Sequence, residues 1–311
     1  FGLKLSVQLA PHSKRGLKLK NPVMTASGTV GYGTEYAELV DIERLGAIVT
    51  KGTTLNPCPG NPQPRLFETA SGLLNSVGLQ NIGIDALIAE KAPIWANWRV
   101  PVIVNIAGES IEEYAELARR LEGVGGVSGI EVNISCPNVA RGGMEEFGVS
   151  PEAAAEVTRA VKSQTTLPVI VKLTPNVTDI ASLACAVEEE GADAISLINT
   201  LRGMAIDITV KRPFLGGITG GLSGPAIKPV ALYMVYQVAQ AVAVPVIGCG
   251  GIACATDAIE FIMAGASAVG IGTATLVNPS APLEVLDGIA RFMEQEGVGD
   301  IAQLIGVAKA P

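Results

Sequence analysis

The sequence predicts a (β/α)8 barrel, an α/β fold of the TIM type. Eight short apolar runs alternate with helical patterns, the signature of a parallel sheet whose number of strands closes on itself. No Gly-x-Gly-x-x-Gly follows any of those runs, which disfavours an open doubly wound sheet built around a dinucleotide. The chain has 311 residues, 48% of them hydrophobic, enough for one large core. No composition break marks a second domain, so residues 1–311 read as one barrel.

The elements follow in order. Leu3, Leu5, Val7 and Leu9, then Leu17 and Leu19, alternate around Pro11-His12-Ser13 and predict an N-terminal β-hairpin, not a signal peptide or an anchor helix. Barrel strands are expected at 23–26, 47–50, 101–106, 130–134, 168–173, 194–199, 245–249 and 268–272. Each is a short run rich in β-branched residues, and several begin at proline. Helices are expected at 36–45, 111–121, 151–162, 179–190, 225–242, 256–264 and 283–296. Ser110 with Glu113 has the spacing of a capping box, and Ser150 precedes a proline at the first helical position. Three insertions, 52–92, 137–150 and 200–224, all follow strand ends and are expected to wall or cover the mouth where barrels carry chemistry.

Composition excludes several functions. Lys and Arg number 22 against 30 Asp and Glu, a net charge of −8, which disfavours binding to nucleic acid or an anionic membrane. No apolar run is long enough to span a bilayer. The cysteines at 58, 136, 185, 249 and 254 form no Cys-x-x-Cys pair, and His12 is the sole histidine, so no metal site is expected. Unpatterned cysteines fit a reducing compartment, the cytoplasm. Cys249 and Cys254 read as small packing residues.

The predicted strand ends share one chemistry. They carry Ser27-Gly28, Lys51-Gly52, Asn105, Asn133 with Cys136, Lys172, Asn199-Thr200, Gly250-Gly251 and Gly272-Thr273. Any one asparagine could be a turn residue and any one lysine a solvated charge. Lys51 and Lys172, however, each end an apolar strand. The late glycines sit where barrels bind phosphate through backbone N–H groups. Within the first insertion, Asn75-Ser76-Val77-Gly78-Leu79-Gln80-Asn81 reads either as a hairpin turn or as a substrate wall.

These residues resemble the class 1 dihydroorotate dehydrogenases. The likeness runs through Ala26-Ser27-Gly28, Thr50-Lys51-Gly52, Asn75-Ser76-Val77-Gly78-Leu79, Asn133-Ile134-Ser135-Cys136-Pro137-Asn138, Val171-Lys172-Leu173 and Gly220-Gly221-Leu222-Ser223-Gly224. Gly60-Asn61-Pro62-Gln63-Pro64-Arg65, Gly78-Leu79-Gln80-Asn81 and Gly142-Gly143-Met144 with Phe147-Gly148 look most like the 1B subtype.

The resemblance implies an FMN enzyme that oxidises dihydroorotate to orotate in pyrimidine (UMP) synthesis. It implies Cys136 as the base that takes the C5 proton, with the C6 hydride going to N5 of FMN. A free thiol, with a pKa of about 8.5, has some thiolate character near neutral pH. Lys51, the second catalytic candidate, would touch both flavin and substrate. Asn75, Ser76, Val77, Gly78, Leu79, Asn133, Asn199 and Thr200 would hold the substrate, with Asn138 in the same motif. Ser27, Gly52, Asn105, Asn133, Ile198, Gly224, Gly250, Gly251, Gly272 and Thr273 would hold FMN, and Lys172 would stabilise the reduced ring. The glycine-rich loop 140–148 would cover Cys136. The 1B likeness further implies a homodimer joined by a partner subunit that carries FAD and a [2Fe–2S] cluster and passes electrons to NAD, in a heterotetramer. Alternatives are a dihydropyrimidine dehydrogenase domain, a fumarate-linked 1A enzyme, a sugar-phosphate isomerase or aldolase using Lys172, and a non-catalytic flavin carrier.

Overall fold

The computed structural model describes residues 2–134 and 147–308. The N-terminal hairpin forms as expected: β1 (Val7–Gln8) pairs antiparallel with β2 (Lys18–Leu19). The barrel begins with β3 (Val23–Thr25) and β4 (Ile48–Val49). Between them the expected helix is replaced by two single 3-10 turns, Tyr36–Glu38 and Ile42–Arg44. The second is capped by Asp41, whose carboxylate accepts from the Glu43 N–H, so the turn is restarted rather than propagated.

The first insertion carries a hairpin, β5 (Leu66–Thr69) and β6 (Gly72–Asn75), then α1 (Gly83–Ala86) and α2 (Ala92–Trp95) joined by a wider helical turn over Leu87–Lys91. The repeat then runs β7 (Val102–Ile106), α3 (Ile111–Leu121), β8 (Gly129–Asn133), α4 (Pro151–Lys162), β9 (Val169–Lys172), α5 (Ile180–Glu189) and β10 (Ala194–Leu197). The second described insertion holds β11 (Leu201–Gly203), β12 (Ile206–Asp207), β13 (Arg212–Pro213) and β14 (Gly220–Ser223). The chain closes with α6 (Lys228–Ala241), β15 (Val246–Cys249), α7 (Ala255–Ala264), β16 (Ala266–Ile271), α8 (Ala274–Val277) and α9 (Ala281–Gln295).

The eight-stranded parallel sheet runs β3-β16-β15-β10-β9-β8-β7-β4. A parallel bridge between Met24 and Ala47, with the Gly46 N–H donating to the Val23 carbonyl at 2.8 Å, joins the last strand to the first and closes the barrel. Gly46 is required there, because a Cβ would lie 2.2 Å from the Asn21 carbonyl oxygen. The outward residues of the strands are apolar and fully covered by the helices, as on both faces of a parallel sheet.

Local signals read from the sequence differ from the structure in two details. The Ser110 Oγ accepts from the Glu113 N–H at 3.3 Å, but the Glu113 carboxylate takes the N–H of Glu109, one residue earlier than a capping box requires. Cys254 is exposed rather than packed, and it starts α7 in a capping box with Asp257. The strands of the two insertions pair across the mouth as a four-stranded antiparallel sheet, β11-β14-β6-β5. It stands over one side of the barrel opening. Asn75 ends β6 in this sheet, so the hairpin turn falls at Ala70-Ser71 instead of along 75–81.

Candidate active site

The C-terminal ends of the barrel strands surround a cavity of about 470 Å³. Of the residues singled out from the sequence, Ser27, Lys51, Gly52, Asn75, Val77, Gly78, Leu79, Asn105, Asn133, Lys172, Ile198, Asn199, Thr200, Gly224, Gly250, Gly251, Gly272 and Thr273 line it. Ser76 does not. It is fully buried behind the wall, where its Oγ accepts from the Asn61 amide at 3.0 Å. The strand period explains this, since Ser76 follows Asn75 and points to the opposite face. Cys136, Asn138 and 140–146 lie outside the described residues.

The floor of the cavity is a polar layer inside the barrel. Asn105 of β7, Glu131 of β8, Lys172 of β9 and Ser196 of β10 come from four adjacent strands. The Glu131 carboxylate accepts from the Asn105 amide at 2.7 Å and from the Ser196 hydroxyl at 2.9 Å. The Lys172 ammonium lies 3.9 Å from it, an ion pair without a hydrogen bond. Burial favours the neutral amine, but Glu131, aided by Cys249, outweighs it and holds the Lys172 pKa above its ordinary value. Burial raises the Cys249 thiol, so near neutral pH that sulfur is uncharged and Glu131 alone supplies the negative charge. With its Asn105 bond made, Glu131 fixes which end of that amide is which. The Asn105 Oδ1 is left buried with no partner.

Glu131 was not singled out from the sequence. Its signal was present: a carboxylate inside an apolar strand, two residues before Asn133 and therefore on the same, inward face. Cys249 was read as packing. It is buried, but it also lines the cavity beside Lys172.

The wall is the segment 75–81. The Asn75 amide donates to the Gly221 carbonyl at 3.2 Å, across the β6–β14 pair. The buried Asn81 amide donates to the Leu79 carbonyl and the Thr54 hydroxyl, and its carbonyl takes the Gly83 N–H. The loop 60–65 clasps this wall from outside: the Asn61 N–H donates to the Val77 carbonyl, and the Arg65 guanidinium donates to the Gln80 amide at 2.5 Å. Two of the three stretches quoted above for subtype, 60–65 and 78–81, are thus one structural unit, and Gly142-Gly143-Met144 of the third lies outside the described residues. Burial first, and the Arg65 charge second, hold the Lys51 pKa below its ordinary value. Its ammonium has no hydrogen bond or ion pair among the described residues. Opposite, the Thr200 N–H donates to the Asn199 side chain, which itself donates to the Asn133 carbonyl oxygen of the side chain at 3.4 Å.

At the far end, Gly250 and Gly251 have φ of 127° and 73°. A Cβ on Gly251 would lie 2.8 Å from the Gly224 carbonyl oxygen. The N–H groups of Gly251, Ile252 and Thr273 have no acceptor among the described residues. Unspent N–H groups with no side chain in the way form a receptor for an anion.

Comparison with known proteins decides the family. The family model for dihydroorotate dehydrogenase matches residues 11–293. The chain belongs to the dihydroorotate dehydrogenase family. It is 58% identical over 291 residues, 94% of this chain and 95% of the relative, to a protein of Pelobacter propionicus named dihydroorotate dehydrogenase B (NAD(+)), catalytic subunit. Relatives of the same name from Geotalea uraniireducens and Desulforamulus reducens are 56% and 58% identical, covering 97% and 94% of this chain and 97% and 96% of their own. The dehydrogenase of Eimeria tenella, solved with ferulenol, is similar in fold alone. It superposes with a TM-score of 0.82 at 23% identity, covering 99% of this chain and 89% of that one. The barrel expected from the sequence is therefore the barrel of this dehydrogenase family.

Proposed function

We propose that this chain is the catalytic subunit of an NAD-linked dihydroorotate dehydrogenase, which oxidises dihydroorotate to orotate in pyrimidine synthesis and loses its electrons through a partner subunit. The observation that carries the reading is the unspent polarity of one cavity. The Asn105 Oδ1 is buried with no partner, and the Lys51 and Lys172 ammonium groups make no hydrogen bond, among the described residues. Polar groups withdrawn from water without hydrogen bonds cost several kcal/mol unless a ligand completes them.

FMN, the flavin of the family, fits these residues. The Gly251, Ile252 and Thr273 N–H groups would hold its phosphate, the Asn105 Oδ1 would accept from a ring N–H, and Lys172 would face a ring edge that gains negative charge. Bound there, the flavin supplies a hydride acceptor. The chain's own residues do the rest. Lys51 touches both flavin and substrate and holds the substrate carboxylate. Asn75, Asn133, Asn199 and Thr200 offer donors and acceptors for a cyclic imide and carboxylate, and the N–H groups of Val77, Gly78 and Leu79 add to them. Ser76 acts through the wall it braces. Cys136 follows β8 in sequence and receives the C5 proton, as the resemblance implies. The C5–H pair stays behind to form the C5–C6 double bond as hydride leaves C6.

The name that the relatives carry, catalytic subunit, supports a partner. Leu66, Leu276 and Val277, 53%, 55% and 85% exposed, rim the cavity mouth and give an electron-accepting subunit an apolar place to seat. FAD and [2Fe–2S] belong to that subunit in this reading, and two copies of this chain pair in the complex. Among the described residues no group of His, Cys, Asp and Glu could hold a metal, and no helix is long and apolar enough to cross a membrane. The four cysteines among the described residues are unbridged, which supports a cytoplasmic site.

The test is anaerobic reduction of the FMN-loaded chain by dihydroorotate and, separately, by dihydrouracil. Bleaching of the flavin by dihydroorotate alone supports the proposal. Preference for dihydrouracil would move the chain to pyrimidine degradation, and fumarate turnover by the isolated chain would make it a fumarate-linked enzyme.

A further inference from the structure

The Lys172 ammonium is 4% exposed, lies against the cavity floor and makes no hydrogen bond to any described residue. A charge so placed is kept only if something nearby compensates it without consuming its N–H groups. Glu131 meets that condition. Its carboxylate, 2% exposed, is held by two neutral donors, Asn105 Nδ2 of the adjacent β7 at 2.7 Å and Ser196 Oγ of β10, beyond β9, at 2.9 Å. Those bonds fix it 3.9 Å from the ammonium, near enough for strong attraction at low dielectric and too far to share a proton.

We propose that Glu131 is a positioning residue for flavin reduction: it keeps Lys172 charged, with its N–H groups free to face the flavin. The inference rests on the flavin reading above. The titratable groups facing Lys172 are Glu131 from β8 and the Cys249 thiol from β15, and burial keeps that thiol neutral. Glu131 is therefore the one negative charge opposing desolvation of the lysine among the described residues. The neutral neighbours Asn105 and Ser196 cannot replace it.

Glu131→Gln isolates the charge. A glutamine can still accept from the Asn105 amide and donate to the Ser196 oxygen, so the hydrogen-bond frame survives. Burial then acts unopposed, and Lys172 titrates at lower pH. The experiment measures the FMN reduction potential and the rate of flavin reduction at saturating dihydroorotate, from neutral to alkaline pH, in the FMN-loaded chain.

The expected result is a more negative potential and a reduction rate lower by about tenfold or more, with dihydroorotate affinity within about threefold of the parent. The variant's loss relative to the parent at the same pH should deepen as pH rises, since the titration of Cys136 is common to both and cancels in the ratio. Glu131→Asp, which keeps the charge, should restore the parent's profile. An unchanged potential and pH profile in Glu131→Gln would overturn the inference.

Should that variant fail to fold, the pair Lys172→Gln and Lys172→Gln/Glu131→Gln carries the same test. With the ammonium gone, removing the carboxylate should change the rate by less than about twofold. A further tenfold loss would mean that Glu131 acts apart from Lys172, and would overturn the inference equally. A parent chain that takes up no FMN would remove the flavin reading and this inference together, whereas normal parent turnover beside an unaltered Glu131→Gln removes this inference alone.

Discussion

Lys51 is half-buried and Lys172 buried, both at strand ends, yet their surroundings push them in opposite directions. Burial and Arg65 lower Lys51, while Glu131 overrides burial at Lys172. A lowered pKa in the free protein means that Lys51 loses its charge earlier as pH rises, and in that alkaline range binding an anion draws a proton back onto it. Orotate affinity is therefore expected to fall as pH rises through a value below the ordinary lysine pKa of about 10.4. Calorimetry in buffers of different ionisation enthalpy should show proton uptake on binding in that alkaline range. Affinity that is flat up to the ordinary lysine range would remove the role given to Lys51. Cys136→Ala should slow flavin reduction by about 10²–10⁴-fold, the usual worth of a positioned base, without loss of FMN. Retention of bound flavin is the control that separates chemistry from folding. The lysines, asparagines and glycines of the site were legible in the sequence because each sits directly after an apolar run. Glu131 was not, because its meaning depends on which side chains of adjacent strands share the barrel interior.

The antiparallel sheet made by β5, β6, β11 and β14 shapes one side of the mouth, and its close contacts leave little freedom. A Cβ on Gly221 would lie 2.0 Å from the Thr200 Oγ1. Gly221→Ala should therefore displace Thr200 and raise the KM for dihydroorotate about tenfold or more, while helix content by circular dichroism stays unchanged. This sheet escaped the sequence reading. Its strands are three or four residues long, and β6 pairs with a strand 146 residues further along the chain, so no local period announces the pairing. Helices α3 and α4, by contrast, begin and end where the sequence placed them, because a serine cap and an amphipathic period are local signals.

On the opposite end of the barrel, Glu122 at the close of α3 accepts from the Thr165 and Thr166 hydroxyls and pairs with Arg15. The Thr165 bond leads the causes that hold its carboxyl down at about 2, against an ordinary glutamate value of 4.5. A carboxyl depressed on folding stabilises above its unfolded pKa and loses that contribution as pH falls toward the folded one. Glu122→Gln should thus lower the melting temperature at neutral pH, with the difference shrinking as pH falls from about 4.5 toward 2. A difference independent of pH would contradict the assignment.

For the whole molecule, closure is the condition on which the site depends. Eight strands bring residues from Ser27 to Thr273 to one opening, and the seam between β3 and β4 is the narrowest joint. Gly46→Ala should cost about 1–3 kcal/mol in chemical denaturation, because the new methyl meets the Asn21 and Val23 carbonyls. The barrel itself was legible from the count and spacing of apolar runs. The region between β3 and β4 was not, since its helical composition is interrupted by a new cap at Asp41. The claim that joins fold to function is that these distant strand ends hold one flavin and hand it the electrons of dihydroorotate. Anaerobic mixing of the FMN-loaded chain with dihydroorotate tests it most directly. Bleaching of the flavin band that the parent completes, and that Cys136→Ala slows by about two orders of magnitude or more, is the expected result. A chain that stays colourless when FMN is supplied, or a yellow chain that dihydroorotate leaves unbleached, would contradict it.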